Sequence, residues 1–285
     1  MCMPFRGLRS KISKARHDIS KRANRTMAAQ AKKPTKPSAE PPLRILCFGN
    51  SLTSGYPVDH PYAGRLAQKI KEAFPGRKVE YDVEGMPGDL VTNGHYLNRM
   101  DMSWVVAQRP YDWTIVLGGT NDLGWGRSAD QIIDGLKRAW DIPLSKGSKV
   151  LALTIPETKG RFRTITERRN EVNDAIRNYE KENFFHFDLF KEFPYHDMAP
   201  EDRGKYWDTD GLHLQAAGYD RMGEKIGDGL VRILRLAEAQ GTDISSIVSD
   251  ARQRKAIQDL ILEEEMGDPR LLSQGYIIVR KKDLD

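Results

Sequence analysis

Apolar runs and helical patterns alternate along the chain from residue 43 to residue 238. Short runs rich in Val, Ile, Leu and Phe predict buried strands, and the segments between them carry apolar residues three or four positions apart, as amphipathic helices do. The predicted strands are Leu43–Phe48, Val79–Val83, Trp113–Leu117, Lys149–Ile155 and Phe184–Asp188. The predicted helices are Tyr62–Phe74, Asp89–Gln108, Ser128–Trp140, Thr166–Glu182 and Ala216–Glu238.

This alternation predicts an α/β fold. Strands joined through helices form a parallel sheet that is covered by helices on both faces. We therefore expect a three-layer α/β/α sandwich around a five-stranded parallel sheet. Ligand sites in such folds lie beyond the carboxyl ends of the strands, so the residues directly after each strand are where chemistry is expected.

The two ends of the chain differ from this body in composition. Residues 1–40 hold eleven Lys and Arg but two acidic residues, and prolines 34, 37, 41 and 42 oppose a continuing helix or strand. We expect a basic, disordered arm with a proline-rich linker over residues 1–42, an α/β domain over 43–238 and a C-terminal helical extension over 239–285. In the extension, Asp250–Met266 predicts a helix and Tyr276–Arg280 a short strand.

The formal net charge of +5 comes from the arm, since residues 1–40 contribute +9 and the remainder −4. A nucleic-acid-binding core is therefore not expected. For the arm, a solvated tail, an anionic membrane surface as partner and mitochondrial targeting by residues 1–35 all stay open. Basic residues interrupt any secretory signal sequence, and Cys2 and Cys47 are poorly placed for a disulfide. An intracellular, cytoplasmic location is favoured, and the oligomeric state stays open.

Four loops after predicted strands carry the residue types that acyl transfer requires. Each loop alone has an ordinary explanation: a Gly-x-Ser turn, a glycine turn between strand and helix, a helix cap, or an isolated histidine. Their shared position at the carboxyl edge of the predicted sheet favours a single active site for acyl transfer. The residues concerned are Ser51, Gly88, Asn121, Asp210 and His213.

In content and order, the segments GNSLTSG, GMPGD, GGTND and DGLH resemble the four conserved blocks of the SGNH, or GDSL-type, serine hydrolases. The resemblance implies that Ser51 is the nucleophile, His213 the general base and Asp210 the acid that orients it. It implies an oxyanion hole made by the backbone N–H groups of Ser51 and Gly88 and the side-chain amide of Asn121. It also implies a three-layer α/β/α sandwich of the flavodoxin-like kind, and that no metal or organic cofactor is needed.

The resemblance covers residues 43–236 and has three departures. Asn50 stands where the family name has Asp, Glu84 where Asn is frequent, and Pro87 where Ser is frequent. The last two changes are expected to reshape the second loop without removing the N–H of Gly88. Asp208 is a second candidate for the acid, although the spacing of Asp210 to His213 fits the block better.

The function that these residues favour is hydrolysis of carboxylic esters with short-chain acyl or acetyl groups, through an acyl-enzyme on Ser51. An acyltransferase that uses the same site and a non-catalytic binding module on this fold are the alternatives. A nucleotide-binding domain is disfavoured, because no glycine-rich phosphate loop follows the first strand. Aromatic residues of Leu189–Trp207, and the stretch around Trp125, are candidates for the cleft wall or for core packing.

Overall fold

The computed structural model describes residues 41–239. The basic arm and the expected elements Asp250–Met266 and Tyr276–Arg280 lie outside the described residues. The domain boundaries, the membrane-surface contact and mitochondrial targeting therefore stay predictions.

A five-stranded, all-parallel sheet forms the centre of the described region, in the order β2-β1-β3-β4-β5. β3 is buried along its whole length, whereas β2 lies at an edge of the sheet and exposes several side chains. The strands are β1 (Leu43–Gly49), β2 (Val79–Gly85), β3 (Trp113–Leu117), β4 (Lys149–Leu153) and β5 (Phe184–Phe187). The strand order is that of flavodoxin-like folds, and the predicted parallel sheet is confirmed.

Helices connect the strands and close the domain. They are α1 (Ser51–Ser54), α2 (Ala63–Ala73), α3 (Gly94–Val106), α4 (Thr120–Gly124), α5 (Ala129–Ser145), α6 (Arg163–Arg177), α7 (Leu189–Glu192), α8 (Pro200–Tyr206) and α9 (Ala216–Ala239). The five predicted helices are all present, and the four short ones were not predicted because they are too brief to show a helical period. Within residues 41–239, none of the helices is long and apolar enough to cross a membrane.

Two apolar clusters flank the sheet, one on each face. In β1, Ile45 and Cys47 point into the cluster beneath α2 and α9, and Leu46 and Phe48 point into the cluster beneath α3, α5 and α6. Successive residues of a strand face opposite sides, so a strand with apolar residues throughout requires cover on both faces. The three-layer α/β/α prediction is confirmed.

The observed start of α3 differs from the predicted helix Asp89–Gln108. The helix begins at Gly94, with Asn93 as its N-cap accepting a hydrogen bond from His95 N–H. The N–H groups of Val91 and Thr92, just before the helix, donate instead to the carboxylate of Asp122, which keeps this backbone out of the helix. Two other helix ends shift by as much: α5 begins after a capping box at Ser128 and continues past Trp140 to Ser145, and α6 ends at Arg177 rather than at Glu182.

The strand register aligns the loops that carry the candidate residues. Gly49 is level with Gly85 of β2 on one side and with Leu117 of β3 on the other. The loops that follow β1, β2 and β3 therefore leave the sheet side by side at its carboxyl edge.

Candidate active site

Ser51 is the first residue of α1, directly after β1. Asn50 is the N-cap: its Oδ1 accepts the N–H of Leu52 at 3.1 Å, and its carbonyl accepts those of Thr53 and Ser54. Asn50 accepts no hydrogen bond from the N–H of Ser51. Asn is as good an N-cap as Asp, so the departure at this position leaves the turn intact.

His213 and Asp210 lie on one turn, between α8 and α9. Oδ1 of Asp210 accepts the backbone N–H groups of Leu212 and His213 at 2.8 and 2.9 Å, and its Oδ2 lies 2.6 Å from Nδ1 of His213. Gly211 has φ +66°, and a Cβ there would overlap the side chain of Lys159, so this turn requires glycine. Partial burial alone would raise the pKa of Asp210, but the hydrogen bonds from His213 and Leu212 lower it below its usual value.

The structure brings Ser51 and His213 together across 162 residues of sequence. Nε2 of His213 lies 3.0 Å from Oγ of Ser51, and the imidazole is 12% exposed. The edge of the Tyr56 ring packs against the imidazole, with ring centroids 4.9 Å apart. Asp210, His213 and Ser51 therefore form one continuous hydrogen-bonded chain.

Asp208 does not take part in that chain. Its carboxylate accepts hydrogen bonds from the N–H and hydroxyl of Thr209, and its backbone N–H donates to the carbonyl of His213. The carboxylate that contacts the imidazole is that of Asp210.

The second loop forms a tight turn at Met86–Asp89, closed by the bond from Asp89 N–H to Met86 C=O. Pro87 and Gly88 occupy its centre, and Gly88 has φ +78°. Proline followed by a left-handed glycine is the usual occupancy of a type II turn, which accounts for Pro87 in this chain. The N–H of Gly88 donates to no residue within the described range.

Asn121 and Asp122 attach the third loop to the second. Nδ2 of Asn121 donates to the carbonyl of Asp89 at 2.9 Å, which uses one of its two amide hydrogens. The fully buried Asp122 carboxylate accepts the N–H groups of Val91 and Thr92 and the hydroxyl of Thr92. Asp122 thereby fixes the backbone of Val91 and Thr92, which the sequence pattern had placed in helix α3.

Arg99 on α3 is a residue that the sequence analysis missed. Its guanidinium donates to the carboxylate of Asp89 and to the carbonyls of Gly49 and Glu84, at 2.9 to 3.1 Å, and packs over the ring of Phe48. It therefore ties the ends of β1 and β2 to the second loop. An arginine within the apolar stripe of an amphipathic helix was the available clue.

A cleft of about 510 Å³ adjoins the hydrogen-bonded chain. Its walls come from residues 120–125 after β3, from the segment between β4 and α6, from Ile165 and Arg169 of α6, and from Asp210–Leu212. Trp125 and Phe162, which are 74% and 66% exposed, stand at this cleft. The candidates Phe193, Tyr195 and Trp207 lie instead in the buried core beneath α9 and do not line it.

No group of three or more His, Cys, Asp and Glu side chains within residues 41–239 is arranged to hold a metal ion. The candidate site consists of one hydroxyl, one imidazole, carboxylates and amide donors. These are groups that act in acyl transfer.

Comparison with solved structures supports the same architecture. A G-D-S-L family lipolytic protein from Veillonella parvula is 23% identical, with a TM-score of 0.52, and the match covers 65% of this chain and 96% of that one. A lipase/acylhydrolase from Enterococcus faecalis is 21% identical, with a TM-score of 0.53, over 66% and 95% of the two chains. A search of curated protein sequences found no significant match.

A family model provides the more specific comparison. The model of the GDSL-like lipase/acylhydrolase family matches residues 47–221, which is more than half of the chain. The matched region runs from within β1 into α9 and includes every residue of the candidate site. This chain belongs to the GDSL-like lipase/acylhydrolase family.

Proposed function

We propose that this protein is a serine hydrolase that cleaves carboxylic esters through an acyl-enzyme on Ser51. The observation that carries the proposal is the 3.0 Å contact between Oγ of Ser51 and Nε2 of His213, continued by the 2.6 Å contact from Nδ1 to Asp210. An unactivated serine hydroxyl is a weak nucleophile, and an adjacent imidazole held by a carboxylate is what activates it.

In the first step, Oγ of Ser51 bonds to the ester carbonyl carbon while Nε2 of His213 takes the hydroxyl proton. The carboxylate of Asp210 keeps the remaining ring proton on Nδ1 and stabilises the imidazolium that forms. The imidazolium then donates its proton to the leaving alkoxide as the ester C–O bond breaks. The alcohol departs, and the acyl group stays on Ser51.

The carbonyl oxygen gains negative charge in this step, and three donors are available for it. These are the N–H of Ser51, the N–H of Gly88 and the second amide hydrogen of Asn121. The bond from Asn121 to the Asp89 carbonyl fixes the amide plane before substrate arrives. Such preorganised donors lower the barrier because they need no rearrangement as charge develops.

In the second step, His213 removes a proton from water, and the resulting hydroxide oxygen attacks the acyl carbon. The same donors stabilise the second tetrahedral intermediate, and Ser51 leaves with its proton restored by the imidazolium. A carboxylic acid is released. The proposed reaction thus consumes one ester and one water, and it yields one alcohol and one carboxylic acid.

The direct test uses purified protein with p-nitrophenyl acetate and a fluorophosphonate probe. Wild-type protein should release nitrophenolate and label at one serine, and Ser51→Ala should lose both. Ser145→Ala, at the exposed end of α5, is the matched control and should keep both. Wild-type hydrolysis rates in Ser51→Ala, or labelling at another serine, would refute the proposal.

A panel of esters with acyl chains of increasing length would define the substrate range, for which short chains are the expectation. Product analysis with an added alcohol separates hydrolysis from acyl transfer. Formation of an ester of the added alcohol would show transfer, whereas release of the free acid alone supports the proposed hydrolase.

A further inference from the structure

Arg169 is a buried cation in the wall of the cleft. It lies on α6, its residue surface is 4% exposed, and it lines the same cleft as Asn121 and Asp210. Asn121 and Asp210 both belong to the candidate site. The side chain of Arg169 therefore borders a cleft that is also lined by two residues of the candidate site.

Within the described residues, this guanidinium contacts the ring of Phe190 but forms no hydrogen bond or ion pair. Its Nε is buried without a hydrogen-bond partner, and no carboxylate lies within ion-pair distance of its nitrogens. Arg99 and Arg177, in contrast, each bind an aspartate. An unpaired buried charge is costly, so its retention in a cleft points to a partner that arrives with the ligand.

An aromatic ring and a carboxylate are the neighbours that bear on the charge of Arg169. Its guanidinium packs over the ring of Phe190, at 5.2 Å from the centroid. Burial lowers the pKa of Arg169, and the nearby charge of Glu157 opposes that shift. Oε2 of Glu157 already accepts the N–H groups of Tyr195 and His196, so this oxygen is committed to the loop.

The charges at the cleft favour an anion. Lys159 lines it as a second cation, and its backbone N–H donates to the Gly211 carbonyl at 2.7 Å, which fixes this wall to the turn of Asp210. Asp210 is the acidic residue among the lining residues, and its carboxylate is engaged by His213. The cleft wall thus carries two cations against one carboxylate, that of Asp210.

We propose that Arg169 binds a carboxylate on the substrate, so that the preferred esters carry a free carboxylate at the end of the chain opposite the scissile bond. Monoesters of aliphatic dicarboxylic acids are the simplest class. The planar guanidinium offers two parallel N–H donors that match the two oxygens of a carboxylate. This inference rests on the proposed ester hydrolysis and names its substrate class.

Two pairs of esters test the proposal, each differing by a carboxylate in place of a terminal methyl group. Monoethyl adipate is compared with ethyl hexanoate for the acyl side, and 6-acetoxyhexanoate with hexyl acetate for the alcohol side. Shorter and longer homologues extend both pairs. Wild-type kcat/KM should favour the carboxylate member of one pair by about tenfold or more, as a charged hydrogen bond provides.

Variants assign that preference to its residue. Arg169→Gln should abolish the ratio of carboxylate to neutral ester, and Arg169→Lys should retain part of it because a charge remains. Arg168→Gln, on the same helix but outside the cleft lining, is the matched control and should keep the wild-type ratio. Melting curves of each variant verify folding. If Arg169→Gln does not fold, the wild-type ratio and the Arg169→Lys ratio decide.

The outcomes separate the two proposals. Wild-type hydrolysis of neutral esters with no carboxylate preference in any homologue overturns this inference and leaves the hydrolase standing. An unchanged ratio in Arg169→Gln also overturns it. If neither ester hydrolysis nor fluorophosphonate labelling is observed, the hydrolase proposal is refuted. Carboxylate binding is then tested on its own, by calorimetric titration of Ser51→Ala with monoethyl adipate. Weaker binding of monoethyl adipate to the double variant Ser51→Ala/Arg169→Gln than to Ser51→Ala supports the inference, and equal binding overturns it.

Discussion

Nε of Arg99 lies 2.9 Å from Oδ2 of Asp89, and the two side chains are 12% and 4% exposed. Asp89 directly follows Gly88, and the same guanidinium binds the carbonyl of Gly49, two residues before Ser51. One buried ion pair thus spans the loop that supplies a candidate oxyanion donor and the strand end that presents the candidate nucleophile. Arg99 acts through these neighbours and is a positioning residue.

Replacing Arg99 with Met should destabilise the fold by about 3–5 kcal/mol, because the buried carboxylate of Asp89 would lose its guanidinium partner. The double variant Arg99→Met/Asp89→Asn should lose less than the sum of the single variants. Urea denaturation measures the free energies of unfolding, and additive losses would contradict the coupling. Arg138→Met removes an exposed arginine of α5 and serves as the control with little expected change.

Asn121→Ala should lower kcat for p-nitrophenyl acetate by about 10²–10³-fold, the usual cost of removing one oxyanion donor. The effect should fall on kcat more than on KM, since the donor acts on charge that develops in the transition state. Asn98→Ala, at an exposed position on α3, is the control. A loss confined to KM would show that Asn121 binds substrate without stabilising the oxyanion.

The sheet and the grouping of the candidate loops were predictable from sequence, because both follow from short-range patterns and a general rule. Apolar runs of strand length predict buried strands, and parallel strands bring their carboxyl ends to one edge. Once Ser51 and His213 were placed after the first and last strands, their convergence needed no further information. The Asp-x-x-His spacing also favoured Asp210 over Asp208.

Contacts that depend on side-chain direction across the fold were not predictable. The segment Asp89–Thr92 has helical character in sequence, and it stays irregular because Asp122, some 30 residues later, binds its N–H groups. The pairing of Arg99 with Gly49 spans 50 residues. No local pattern distinguishes Arg169, which has no hydrogen-bond or ion-pair partner within the described residues, from Arg168 beside it. Such features appear only when packing is known.

Asp210→Asn should lower kcat by about 10³–10⁴-fold, because an amide that presents its NH₂ group to Nδ1 favours the wrong imidazole tautomer. Asp208→Asn is the matched control on the same turn, and it should stay within about tenfold of wild type, since its carboxylate contacts Thr209 rather than His213. Steady-state kinetics with p-nitrophenyl acetate measures both. Equal losses in the two variants would mean that the turn as a whole, and not the contact with His213, is required.

Asp188, at the end of β5, should make the stability of the protein depend on acidic pH. Burial alone would raise its pKa, but hydrogen bonds and charge from Arg177, with the Thr154 hydroxyl, lower it below the unfolded value of about 3.9. Because the folded-state pKa is the lower one, the stabilisation is fully present above the unfolded pKa and is lost as pH falls through the folded-state pKa. Asp188→Asn should therefore cost about 2 kcal/mol at pH 7 and progressively less below pH ~4, measured by urea denaturation across that range. Asp134→Asn, at an exposed position on α5, is the control, and a cost for Asp188→Asn that stays constant down to pH ~2 would contradict the linkage.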